Sequence, residues 1–402
     1  MKVVGFVISF YKSNKIPFVL ALVAFVFFFI SKIIQIQSDE FIPTISTLLR
    51  HISFFSFLLS IFLFSVKKKK YIISNISLLF LLLMSLEIVL YFLLGMPLKE
   101  NKKFGVPSLP ADHIAMNIGS MPYADSVYHD CKMNGNDTVF DVQYTINEFH
   151  NRHTPNHDST KNKYALFFGC SIGYGFGLED NETLPYYFQE SSGKYNSYNF
   201  AYNAHSTNHM LARLEYEDLS LQVEEKDGAA FYVFFWDHIH RAISTMERHT
   251  QWTGNEPYYY LDGDELVRNK LFKNGRYFTS KFYELIYQTS IIKYFEINIP
   301  SKLRDDHFDL VSEMVKKSKD IYTEQFGNDN FHVLIYPSYK AYEEEEFNNF
   351  LSYLERKNIN VVDLSNYIEY SGEYTHNGDP HPNANTNELL SKELLNRIKS
   401  NK

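Results

Sequence analysis

Leu166-Phe167-Phe168-Gly169-Cys170-Ser171-Ile172-Gly173-Tyr174-Gly175-Phe176-Gly177 opens as an unbroken apolar run and closes as a glycine-rich turn. An apolar run without polar alternation reads as a strand buried on both faces. The glycines at 169, 173, 175 and 177 permit tight backbone geometry, which leaves the Ser171 hydroxyl free to project into a cleft. A serine becomes a nucleophile only beside a base that a third group orients. Far downstream, Asp379-Pro380-His381-Pro382-Asn383 offers that pair.

Working outward, further strands are expected at 198–202, 229–235, 331–336 and 359–364. Between them come a helix start at Asn181-Glu182, helices at about 209–221 and 306–326, a helix carrying Glu343 to Glu346 as a solvated face, and a last helix at about 387–398. Strands alternating with helices predict an α/β fold with a parallel sheet covered on both faces. In such sheets functional residues gather at the carboxyl ends of strands, where Ser171, Asn203, Asp237 and His381 fall. The aromatic, irregular stretch 242–305 reads as an insertion forming a lid or substrate wall.

Upstream, residues 99–163 are polar and turn-rich but too aromatic for disorder. They read as a lead-in that packs on the catalytic body, with a strand at 138–146. Within it, His150, Arg152, His153 and His157 read as loop decoration, since no carboxylate–histidine pattern surrounds them. Cys131 and Cys170 are too few for a disulfide framework or zinc site. They could form one bridge in an oxidising compartment, although packing alone accounts for Cys170. No metal or cofactor is expected.

The first hundred residues hold three apolar segments, at about 16–34, 43–66 and 71–95, each near the ~20 residues that cross a bilayer core. Lys67-Lys68-Lys69-Lys70 between the second and third is a cytoplasmic signal, and the Gln37-Ser38-Asp39-Glu40 loop would lie outside. This predicts an integral inner-membrane protein with a cytoplasmic N-terminus and everything after Gly95 extracytoplasmic. The length of the first segment and its lack of a small-residue cleavage site argue against a cleaved signal peptide. Glu87 inside the third segment is either functional or paired with a neighbour. Residues 1–100 carry ten Lys or Arg against four Asp or Glu, whereas the remainder carries 29 against 43. A basic membrane end and an acidic body argue against a nucleic-acid partner.

Residues 164–402 resemble the SGNH (GDSL-type) hydrolase superfamily. Phe168-Gly169-Cys170-Ser171 with Gly175, Gly177 and Glu182-Thr183 matches its first block, and Asp379-x-His381-Pro382-Asn383 before the final helix matches its last. The resemblance implies a three-layer α/β/α sandwich with a five-stranded parallel sheet. It also implies ester or O-acetyl hydrolysis, or acyl transfer, without a cofactor. Membrane-anchored extracytoplasmic relatives act on cell-envelope carbohydrate, so an acylated small molecule or glycan is the expected substrate. Carried onto this chain, Ser171 is the nucleophile, His381 the base and Asp379 its orienting acid. Ala204 stands where the family has a glycine whose backbone N–H binds the oxyanion. Trp236 stands where it has an asparagine donor, leaving Asn203 or His238 as substitutes, and Cys170 replaces the first-block aspartate.

The Gly169-x-Ser171-x-Gly173 spacing also fits the nucleophile elbow of α/β-hydrolases. That fold places several βα units before the serine and takes its acid and histidine from separate loops, and neither holds here. The reading is a serine esterase. An O-acyltransferase and a catalytically impaired glycan-binding scaffold are its rivals.

Overall fold

The computed structural model describes residues 15–36, 42–94, 113–115, 117–338 and 342–400. The acidic connection around Asp39-Glu40 and the proline-rich stretch from Pro97 to Pro110 lie outside the described residues. The chain divides into two compact units, one formed by residues 1–101 with 285–297, the other by 102–284 with 298–402.

The first unit holds helices α1 (Lys15–Ile36), α2 (Ile42–Lys67) and α3 (Tyr71–Leu93). Two of them, over Thr47–Lys67 and Tyr71–Leu93, are long and apolar enough to cross a membrane, while the described apolar run of the first is the shorter Lys15–Phe28. Several of their hydroxyls donate to backbone carbonyls: Ser53 Oγ donates to Ala24 O and Ser60 Oγ to Pro17 O, both at 2.6 Å. Such bonds remove polar groups that hydrocarbon cannot solvate. Glu87 is buried and paired. Its carboxylate accepts from the backbone N–H of Ser290 at 2.5 Å and of Ile291 at 3.0 Å, and lies 3.4 Å from His51 Nε2. Residues 285–297 therefore belong with the helices, which cuts the expected 242–305 insertion in two.

The second unit is built on five parallel strands: β3 (Lys163–Gly169), β4 (Tyr195–Asn199), β5 (Asp227–Phe234), β6 (Phe331–Ile335) and β7 (Asn360–Asp363). The lead-in contributes an antiparallel hairpin, β1 (Ser126–Asn134) and β2 (Asp137–Ile146). The sheet order is β7-β6-β5-β3-β4, so the chain moves from β3 out to β4 and then returns to the other side of β3. The carboxyl ends of β3 and β5 flank this reversal, the crevice where open α/β sheets bind ligands.

Alternation within the strands sorts the core into two faces. Leu166, Phe168, Tyr232, Phe234, Val333 and Ile335 face one way, and Phe167, Phe231, Val233 and Leu334 the other. The first face is covered by α5 (Thr207–Tyr216), the short α6 (Asp237–Ala242), α7 (Asp305–Phe326) and α8 (Glu344–Arg356), through Leu211, Ile239, Met314 and Phe350 among others. The second is covered by α4 (Leu184–Ser192) and α9 (Ala384–Ser400), through Phe188, Leu390 and Leu394. The result is a three-layer α/β/α sandwich, as the sequence leads one to expect. Burying each such side chain contributes ~1.5–3 kcal/mol, and polar residues concentrate on the edge strand β4, where Asn196, Ser197 and Asn199 are buried.

Local chemistry sets the helix limits. α4 starts where Thr183 Oγ1 accepts from Tyr186 N at 3.3 Å and stops at Gly193, whose φ is +64°. α8 places Glu344, Glu345 and Glu346 in its first turn, where the helix dipole favours anions, and buries Phe347, Phe350 and Leu354 on one stripe. The expected strand at 198–202 lies instead at 195–199, because Phe200, Ala201 and Tyr202 are buried in the loop that follows.

Candidate active site

β3 delivers the nucleophile turn through two backbone constraints. Gly169 has φ +151°, and a Cβ there would stand 2.9 Å from Val233 O on β5, so only glycine lets the strands stay paired at this point. Ser171 then opens a single helical turn, Ser171–Tyr174, which Gly175 ends at φ +83°. Ser171 is half-buried at the carboxyl edge of the sheet.

The turn is braced by a residue whose role the sequence conceals. Arg152 is 1% exposed, and its guanidinium donates to Tyr174 O at 2.8 Å, Gly175 O at 2.6 Å and Leu178 O at 2.5 Å. It also pairs with Asp180 at 3.1 Å and sits over the Tyr144 and Tyr174 rings at 4.6 and 4.8 Å. Reading Arg152 as loop decoration is therefore wrong: it ties together three carbonyls of the glycine turn, where no regular ladder forms. Its histidine neighbours do not converge with it. His150 Nδ1 meets Pro122 O and His157 Nε2 meets Ser197 O, and no group of three metal-capable side chains occurs among the described residues.

The downstream pair comes from a short strand, Asp379–Pro382, paired with Thr375–His376. Asn383 then caps α9, its Oδ1 accepting from Thr386 N at 3.1 Å. His381 Nε2 lies 2.9 Å from Ser171 Oγ, and His381 Nδ1 lies 2.6 Å from Asp379 Oδ1. The same Asp379 oxygen accepts from the His381 backbone N–H at 2.8 Å, so the acid holds both the ring and its own loop. Phe176 packs against the His381 ring at 4.7 Å. Burial alone would raise the Asp379 carboxyl, but hydrogen bonds and charge from His381, and the ammonium of Lys132, hold it well below the usual carboxylate range. Lys132 reaches the second Asp379 oxygen from β1, a contact between residues too distant in the chain to be inferred from sequence.

Ala204 has φ +63°, the left-handed region that favours glycine. Alanine thus holds the backbone geometry for which the corresponding glycine is suited. Its loop is pinned to the nucleophile strand where Tyr202 N donates to Gly169 O at 3.2 Å. Asn203 Oδ1 and Nδ2 are both shielded from solvent without a hydrogen-bond partner among the described residues. His238 is fully buried, stacked on Tyr232 and bonded through Nδ1 to its hydroxyl at 2.7 Å, so its ring belongs to the core. Trp236 also turns inward, against Tyr342, Phe347 and Phe350. Cys131 and Cys170 are free thiols, which removes the possible bridge.

A cavity of about 340 Å³ opens over Ser171 and His381. Its walls include Phe235, Trp252 and Tyr370, with Arg241 and Arg248, while Asn203, Ala204 and His238 are not among its lining residues. Arg241 Nε and Arg248 Nε donate to the two oxygens of Asp237 at 2.7 and 2.8 Å. Burial would raise the Asp237 carboxyl, but the two guanidinium groups bring it below its ordinary value. Arg248 also pairs with Glu247 at 3.1 Å, so the two guanidinium groups meet two carboxylates. Nothing in the sequence around Trp236-Asp237 singles out these arginines.

No protein-family model and no curated relative matches the sequence. Among solved structures, the chain is similar to a putative lipolytic protein of the G-D-S-L family from Desulfitobacterium hafniense DCB-2, at 12% identity and TM-score 0.33, covering 58% of this chain and 99% of that one. It is also similar to Est24, a carbohydrate acetylesterase from Sinorhizobium meliloti, at 9% identity and TM-score 0.35, over 60% of this chain and 100% of that one. A third is the acetyl xylan esterase Est2A from Butyrivibrio proteoclasticus, at 7% identity and TM-score 0.37, over 61% and 65%.

Proposed function

We propose that the chain is a membrane-anchored serine esterase of the SGNH type that removes ester-linked acyl groups from cell-envelope carbohydrate, with the catalytic unit extracytoplasmic. The observation that carries this reading is the Ser171–His381–Asp379 chain of contacts at 2.9 and 2.6 Å, beside an open cavity. Both distances fall in the range for direct proton transfer and orientation.

His381 Nε2 takes the proton of Ser171 Oγ as that oxygen bonds to the acyl carbon, and the carbonyl π electrons move onto its oxygen. Asp379 receives the Nδ1 hydrogen bond and stabilises the imidazolium without itself taking the proton. Backbone N–H groups of Ser171 and Ala204 face the oxyanion in this scheme. Collapse expels the alkoxide, which takes the proton from His381, and water then repeats the sequence on the acyl-enzyme. Trp252, Phe235 and Tyr370 supply apolar surface on which the hydrophobic face of a sugar or acyl chain can rest.

The purified full-length protein should hydrolyse p-nitrophenyl acetate, and Ser171→Ala should lower turnover to the background rate. Equal rates for the two proteins would remove the enzyme reading and leave the scaffold. A glycan acceptor added to the assay separates a hydrolase, whose products do not change, from an O-acyltransferase, which acylates the acceptor.

A further inference from the structure

The side-chain amide that would complete the oxyanion site has no counterpart here, since Trp236 occupies its place and packs into the core. The substitutes named from sequence fit poorly: the His238 ring is fully buried and held by the Tyr232 hydroxyl, and both amide atoms of Asn203 are shielded from solvent. Among the polar side chains that line the cavity, Tyr370 donates its hydroxyl to Pro380 O at 2.9 Å. Arg248 is the more exposed of the two arginines and commits Nη1 to Glu247 and Gln251 at 3.1 and 2.9 Å.

Arg241 differs on each count. It is 8% exposed and lines the cavity together with Ser171 and His381. Its Nη1 donates to His205 O at 3.2 Å. His205 directly follows Ala204. The guanidinium thus touches the chain beside the Ala204 N–H assigned to the oxyanion and shares the cavity wall with Ser171. It is also immobilised, by Asp237 on one side and the Phe235 and Trp252 rings at 5.0 and 5.6 Å on the others. A fixed cation in a site screened from water stabilises developing negative charge without reorganising at the moment of reaction.

We propose that Arg241 is the third oxyanion donor, a guanidinium in place of the missing amide. The role rests on the serine-esterase reading. As the Ser171 Oγ–carbon bond forms, an Arg241 N–H donates to the carbonyl oxygen that takes up the electron pair, and the bond weakens as the ester oxygen departs.

The test compares full-length wild type, Arg241→Met and Arg241→Lys with p-nitrophenyl acetate and with an anionic analogue, p-nitrophenyl hemisuccinate. Loss of one oxyanion donor predicts a fall in kcat of ~10²–10³ for Arg241→Met. KM should stay within a few-fold, and the fall should be equal for the neutral and anionic esters. Arg241→Lys keeps a cation beside Asp237, so it serves as the folded reference should the methionine variant fail to fold; its kcat should still drop at least tenfold. Arg241→Ala should regain part of its rate with added guanidinium ion and none with ammonium. Wild-type kcat in the folded lysine variant would overturn the proposal, as would a loss confined to KM for the anionic ester, which assigns Arg241 to substrate binding instead. If wild type and Ser171→Ala are equally slow, it is the esterase reading itself that fails.

Discussion

Replacing Arg152 with methionine tests whether the nucleophile turn depends on a brace from the lead-in. Methionine keeps most of the apolar stem but removes three donors, to Tyr174 O, Gly175 O and Leu178 O, and the ion pair with Asp180. A hydrogen bond from a charged donor is worth ~1.5–3 kcal/mol, so three would total roughly 5–9 kcal/mol if nothing compensated. The retained stem and any water admitted to the carbonyls reduce this, and about 4 kcal/mol is the expected loss. Against a total stability of ~5–15 kcal/mol this is large but survivable. Urea denaturation of the catalytic unit's transition in detergent-solubilised protein would measure it, alongside kcat at a temperature where the variant stays folded. Turnover should fall as well, because Gly175 and Tyr174 fix the helical turn that Ser171 begins. Arg152→Lys, lacking the fork, should recover less than half of the stability. A methionine variant within 1 kcal/mol of wild type and with unchanged kcat would refute the reasoning.

Three further outcomes follow. Lys132→Met removes an ammonium that helps hold the Asp379 carboxyl below its ordinary range, so stability should fall at pH 7 and the difference should shrink as pH drops through the carboxylate range; a variant as stable as wild type at pH 7 would contradict the assignment. Burial lowers His205 to about 3 and His249 to about 4 from an ordinary 6.5, so both are neutral in the folded protein. Their contribution is intact above pH 6.5 and is lost as pH falls towards 4, costing about 2 kcal/mol per group by pH 5, which denaturation at pH 7 and pH 5 would detect. Ala204→Gly relieves a left-handed alanine but adds chain entropy, so stability should change by less than about 1 kcal/mol and kcat should stay within a few-fold.

The central strands and the Ser171, Asp379 and His381 blocks were legible because each is a local pattern. β3, β5 and β6 are apolar runs between turn signals, and Asp379 and His381 stand two residues apart. What escaped was set by distance or by loop burial. β1 reads Ser126-Val127-Tyr128-His129-Asp130-Cys131, with no apolar alternation, because only one of its residues is buried. Arg152 lies in a histidine-rich loop whose partners come later in the chain. Lys132, Arg241 and Arg248 take their meaning from contacts that only the folded sheet creates. The stretch 285–297 looked like part of a substrate wall because its aromatic composition resembles one, whereas its Ser290 and Ile291 N–H groups meet Glu87.

The most direct test of the account is to treat the full-length protein with a fluorophosphonate and map the modified peptide by mass spectrometry. The account predicts a single adduct on Ser171, abolished by Ser171→Ala and slowed strongly by His381→Ala. Absence of labelling in the folded wild-type protein, or labelling that persists unchanged in the His381 variant, would contradict it.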